Sequence, residues 1–209
     1  MISLRFKPAI LALAAVALAG ALWAQPFASA HWKSRTQMEG GPQGDVTTDA
    51  EIWMKDKKIR MKMAIMGMDM NMVRTGDFVY QWQEGQATGM KIPTTVRRRG
   101  GPSADYVSKI EDVRAKGKKV GTETVDGHPC DVYEYEEAVE RGPQKEKFWL
   151  AKDLKNFPVR YQAQTGDTKI TTTNSDVDLG ASVPDSMMTP PDSVQFRDMS
   201  EMMKGMPKN

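Results

Sequence analysis

From Met61 to Met72 the chain reads Met-Lys-Met-Ala-Ile-Met-Gly-Met-Asp-Met-Asn-Met, six methionines in twelve residues, and the alternation changes parity across one glycine. Ile59, Met61, Met63 and Ile65 are interleaved with Arg60, Lys62 and Ala64. Beyond Met66-Gly67, the residues Met68, Met70 and Met72 are interleaved with Asp69 and Asn71. Side chains alternate across an extended strand, whereas a helix returns to one face every three to four residues. The pattern therefore predicts a hairpin whose two strands turn their sulfur-rich sets to the same face. An apolar strand face is ordinarily core. Cores, however, favour Val, Ile and Leu at such sites, and the flexible thioether specifies packing poorly. Such a face suits a deformable wall for an apolar ligand, or thioether ligation of a soft ion such as Cu(I).

Period two continues along most of the chain. Further strands are expected at 34–39, 47–55, 78–82 and 88–92, then at 119–125, 130–136, 145–151, 158–164 and 169–179. Ser103 can cap a helix that carries Tyr106, Ile110 and Val113 on one side and stops at Gly117. The fold class expected is mainly β (α+β). About nine or ten antiparallel strands form a single curved sheet or half-barrel, with one helix inserted midway to complete the core. At the end of the chain Phe196, Met199, Met202 or Met203, and Met206 fall near helical spacing. They predict a short C-terminal helix within a Pro/Met-rich tail, 184–209, although Pro184, Pro190 and Pro191 equally suit a disordered one.

The start of the chain bears on location. Arg5 and Lys7 precede an apolar stretch from Ala9 to Trp23, and Ala28-Ser29-Ala30 is a small-residue cleavage signal, so 1–30 reads as a signal peptide and 31–209 as one domain. Leu22-Trp23-Ala24 offers a second cleavage position. The stretch is shorter than the ~20 residues of a membrane-spanning helix, and the expectation is a periplasmic or secreted protein. Of 29 Lys and Arg against 27 Asp and Glu, two basic residues belong to the signal, which leaves the remainder formally neutral. That balance excludes nucleic acid as a partner, since it needs a concentrated positive field. Cys130 is the single cysteine and cannot form an internal disulfide, so a buried, inert thiol is expected.

Ile52-Trp53-Met54-Lys55, Lys58-Ile59-Arg60-Met61 and Thr75-Gly76-Asp77 with the aromatic strand to Tyr80 resemble the first half of the LolA-like family. Its members are periplasmic lipoprotein carriers and outer-membrane lipoprotein-sorting proteins. The run from Gly121 to Cys130 with Val132-Tyr133, and Phe148-Trp149-Leu150-Ala151-Lys152 with Phe157-Pro158-Val159-Arg160, resemble uncharacterised exported members of that superfamily. The resemblance implies a half-barrel with helices under it, enclosing a hydrophobic cavity for acyl chains or a lipid-modified protein. It further implies a monomer that meets envelope membrane proteins transiently. Carriers of the family begin with an amphipathic helix, which His31 to Val46 does not resemble.

No catalytic constellation is legible. There are two histidines, no serine or cysteine with a nearby base, and no glycine-rich phosphate loop after a strand. A non-enzymatic role without a cofactor is therefore expected. Two readings stay open. In the first, Ile59, Met61, Met63, Ile65, Met68, Met70 and Met72 line a cavity that holds a lipid, and Arg60, of opposite parity, supports the sheet or its rim. In the second, Met61, Met63, Met68 and Met70 bind Cu(I). Separately, cleavage after Ala30 would make the His31 amine and imidazole a bidentate amino-terminal unit of the kind copper proteins use, for which His128 is the available second histidine.

Overall fold

Segments with period two can bury one set of side chains only when extended, and each of them becomes a strand. The computed structural model describes residues 27–41, 44–65, 67–94, 106–107, 109–139 and 142–200. The strands are β1 (Ser29–Glu39), β2 (Val46–Lys55), β3 (Lys58–Ile65), β4 (Met68–Thr75), β5 (Phe78–Gln83), β6 (Thr88–Pro93), β7 (Lys118–Val125), β8 (His128–Val139), β9 (Gly142–Ala151), β10 (Phe157–Thr165), β11 (Thr168–Asp178) and β12 (Gln195–Asp198). They form one sheet in the order β12-β6-β5-β4-β3-β2-β1-β11-β10-β9-β8-β7. Two antiparallel meanders, β1 to β6 and β7 to β11, are thus joined where β1 pairs with β11. The expected class holds, mainly β with a helix, but the described strands number twelve rather than nine or ten.

Local turn chemistry sets the registers. Gly67 sits at φ +77°, where a side chain is strained, and closes the β3–β4 hairpin at the predicted parity switch. Asp126 at φ +51° and Gly127 at φ +81° close β7–β8 in the same way.

The connection between the meanders has to travel far, because β6 lies next to one end of the sheet and β7 forms the other. Its described part is Tyr106, Val107 and helix α1 (Ile110–Lys116), and Tyr106, Val107, Ile110 and Val113 are all buried in the main core. Gly117 stops α1 as expected, its N–H donating to Val113 O at 2.8 Å. The helix is shorter than predicted and begins after Lys109, while Ser103 lies outside the described residues. Tyr106 is drawn out of helical register by its own contacts: its ring stacks on Tyr161 at 5.0 Å and its hydroxyl donates to Asn174 Oδ1 at 3.2 Å.

The tail corrects the sequence reading more sharply. Residues 195–198 form β12, a strand parallel to β6, instead of a helix; helical backbone starts at Ser200, and Met202, Met203 and Met206 lie outside the described residues. Phe196 explains the outcome, packing edge-on against Tyr80 at 5.1 Å and Trp82 at 5.9 Å. Backbone pairing satisfies the otherwise open edge of β6 as well.

Candidate functional site

The registers divide the sheet into two faces. Across the inner face Trp32 of β1 stands opposite Ile52, Ile52 opposite Met61, Met61 opposite Met72, and Met72 opposite Gln81. The neighbouring row runs Ser34, Ala50, Met63, Met70 and Gln83. Within the hairpin the facing pairs are Met61–Met72, Met63–Met70 and Ile65–Met68, so the predicted convergence of the two Met sets on one face is realised. Ile59, Met61, Met63, Met70 and Met72 are buried in the main core cluster and Met68 is half-buried. Ile65 is in β3, and its side chain lies outside the described set.

Three features of this face were not legible in the chain. Arg74 is buried on it between Ile59 and Val79. Gln81 is 2% exposed, and its Oε1 is buried without a hydrogen-bond partner. The third is a polar cluster at the other end, under α1. The Glu146 carboxylate is fully buried and receives Lys109 Nζ at 3.0 Å, the Tyr161 hydroxyl at 2.7 Å and Gln144 Nε2 at 2.6 Å. Asn174, beside it, accepts from Tyr106 and donates to Pro158 O at 2.7 Å. Burial pushes the Tyr106 phenol above its ordinary pKa. This network fixes the start of α1 to β9, β10 and β11, so the described helix covers the β7–β8 end while the methionine pairs lie in β3 and β4.

The outer face has its own layer. Residues 183–198 cross it as a strap, and Val183, Met188, Val73 and Trp82 are buried there, apart from the main cluster. Arg60 is on this side, as its parity requires. It donates to Met187 O at 3.3 Å and Asn71 Oδ1 at 3.1 Å and lies 5.6 Å from the centre of the Trp82 ring. Partial burial pulls its guanidinium pKa down. A groove of about 790 Å³ between the strap and the β5–β6 turn is lined by Arg60, Trp82 and Glu84 on the sheet side and by Pro190 and Pro191 on the strap. It is separated from the methionines by the thickness of the sheet.

The remaining candidates for chemistry are held in structural contacts. Cys130 is buried, its thiol donates to His128 O at 3.2 Å, and burial pushes its pKa up. His31 lies inside β1, 2.9 Å from Glu51 and stacked on Trp53 at 5.3 Å. Among the described residues no three of His, Cys, Asp and Glu gather to hold a metal ion.

Comparison with known proteins agrees with this architecture. A family model described as a domain of unknown function, DUF4412, matches residues 36–182. No curated protein matches the chain. Among solved structures it is similar to an uncharacterized conserved protein from Thermus thermophilus, at 10% identity and a TM-score of 0.51, with 80% of this chain and 90% of that one covered. It is also similar to the lipoprotein LppX of Mycobacterium tuberculosis, at 16% identity, TM-score 0.47, and coverage of 85% and 100%. A LolA superfamily protein from Nitrosomonas europaea is similar at 11% identity, TM-score 0.45, and coverage of 79% and 91%. The likeness to the Thermus thermophilus protein is one of fold alone.

Proposed function

The chain belongs to the DUF4412 family, and we propose that this member is an exported, periplasmic, non-enzymatic carrier that holds an acyl chain or a lipid-modified protein on its methionine face. The observation that carries the reading is the registry of three facing pairs, Met61–Met72, Met63–Met70 and Ile65–Met68, on one side of one hairpin. Thioether side chains rotate about three bonds and re-pack around guests of different shape, which a carrier of varied acyl chains requires. An ordinary core gains nothing from that softness and loses specificity. Ile59 and Ile52 complete the wall. In such a carrier the protein works as a monomer and meets envelope membrane proteins only in passing.

Uptake of a fluorescent fatty acid tests the reading. Wild-type protein binds the probe; Met63→Asp and Met70→Asp place a carboxylate in the apolar wall and abolish binding while the far-ultraviolet circular dichroism stays that of a β protein. A wild-type protein that takes up no probe, or Asp variants that bind it equally well, would overturn the assignment.

A further inference from the structure

Among the described residues one side-chain amide on the methionine face is left unanswered by the fold. From it we infer the class of head group that the carried acyl chain bears: one with a hydroxyl or an amide N–H, donating to Gln81 Oε1. The inference rests on the carrier reading and narrows it. Gln81 stands in β5 directly opposite Met72 on one side and Met90 on the other. Thioethers cannot donate a hydrogen bond, so neither neighbour can satisfy the amide oxygen, which is buried and unpartnered. The other buried amides on this face are answered: Gln144 donates to Glu146, and Asn174 is held by Tyr106 and Pro158. Trp32 Nε1 is likewise outside hydrogen-bond geometry but has the Tyr106 hydroxyl beside it. Gln81 is therefore the open amide beside the methionine pairs.

An unmade hydrogen bond at a buried acceptor is a standing cost to the folded protein, and a leucine of similar volume would remove it. The cost is offset when a ligand donor reaches the oxygen. From Gln81 the row Met72, Met61 and Ile52 runs apolar to Trp32 across four strand intervals, about 19 Å at the usual strand spacing. That span is comparable to a long acyl chain laid across the strands, its head at Gln81 and its tail towards Trp32. Discrimination follows from the donor. A methyl ester carries none, nor does an ionised carboxylate.

The test is displacement of a dansylated fatty acid from the purified protein by four ligands sharing one chain: monoolein, oleamide, methyl oleate and oleate. Monoolein or oleamide should displace the probe at about tenfold lower concentration than the ester and oleate, the ratio expected when one hydrogen bond is made or left unmade. Whichever of the two ranks first identifies the donor as hydroxyl or amide. Gln81→Leu should reduce the preference to less than about twofold and raise Tm in the absence of ligand, because a buried orphan is removed. Gln81→Met serves as a second apolar variant should the leucine pack badly. Equal ranking of all four ligands, oleate ranking first, or a preference that survives both substitutions would overturn the inference while leaving a carrier. Failure of every ligand to displace a bound probe, or of the probe to bind at all, would overturn the carrier reading and this inference with it.

Discussion

Replacing Lys109 with Met isolates what fastens the helix to the sheet. Glu146 is 0% exposed and Lys109 is 14% exposed at the side chain, with Nζ 3.0 Å from the carboxylate. In Lys109→Met the aliphatic stem is kept and the ammonium is lost, so among the described residues the buried carboxylate keeps the Tyr161 hydroxyl and the Gln144 amide as donors. Breaking a buried pair from one side costs about 3–5 kcal/mol, because the remaining charge is uncompensated. Glu146→Gln should cost less, about 1–3 kcal/mol, since Lys109 lies near enough to the surface to regain water. In the double variant no charge is stranded, and its loss should fall at least ~2 kcal/mol short of the sum of the single losses. Urea unfolding at neutral pH, followed by tryptophan fluorescence, gives all three values from one cycle. A Lys109→Met loss below about 1 kcal/mol, or strictly additive losses, would refute the view that this pair is desolvated and pins α1.

Changing Met61, Met63, Met68 and Met70 together to Leu keeps the apolar volume and removes the sulfur, so fatty-acid uptake should survive. Any Cu(I) affinity, read by competition with a chelator, should disappear; Cu(I) binding that resists a strong chelator in the wild type and is lost in this variant would favour the metal reading. Exported protein should begin at Gln25, not His31. Cleavage after Ala30 would remove Phe27, which packs 5.9 Å from Phe157, the Ala28 carbonyl that accepts from Asp56 N–H, and Ala30 itself, which is fully buried; intact mass decides between them. The Asp198 carboxyl is held at about 2 by hydrogen bonds from Ser200 and by Lys91. Its folded-state pKa lies below the ordinary ~4, so its stabilisation of β12 is complete above that pH and is lost as pH falls through about 2. Trp82 fluorescence, reporting the docked Phe196, should be flat down to about pH 4 and change below it; a transition centred near neutrality would contradict the assignment. Phe196→Ala should cost about 1–2 kcal/mol through lost aromatic contact with Tyr80 and Trp82, measured by chemical denaturation.

Much of the sheet is readable from the chain because its information is local. The parity change at Gly67 gives both the hairpin and the shared face of its methionines, and Asp126-Gly127 fixes another register in the same way. Alternation also places Arg60 away from the methionines before any contact is known. Helical spacing misled at Phe196, where the aromatic pair on β5 and the open edge of β6 outweighed a weak local preference.

What only the tertiary structure decided concerns the polar groups. Within Lys145-Glu146-Lys147 the carboxylate looks like part of a solvated strand. It becomes buriable because Lys109, far away in sequence, arrives with the helix. Gln81 likewise sits in an unremarkable alternation with Tyr80 and Trp82, and its isolation follows from having Met72 and Met90 as its cross-strand neighbours. Period two tells which residues share a face, because successive side chains must alternate. Which groups stand across from them, and whether a buried donor or acceptor finds its complement, depends on pairings between strands and on the elements laid over them.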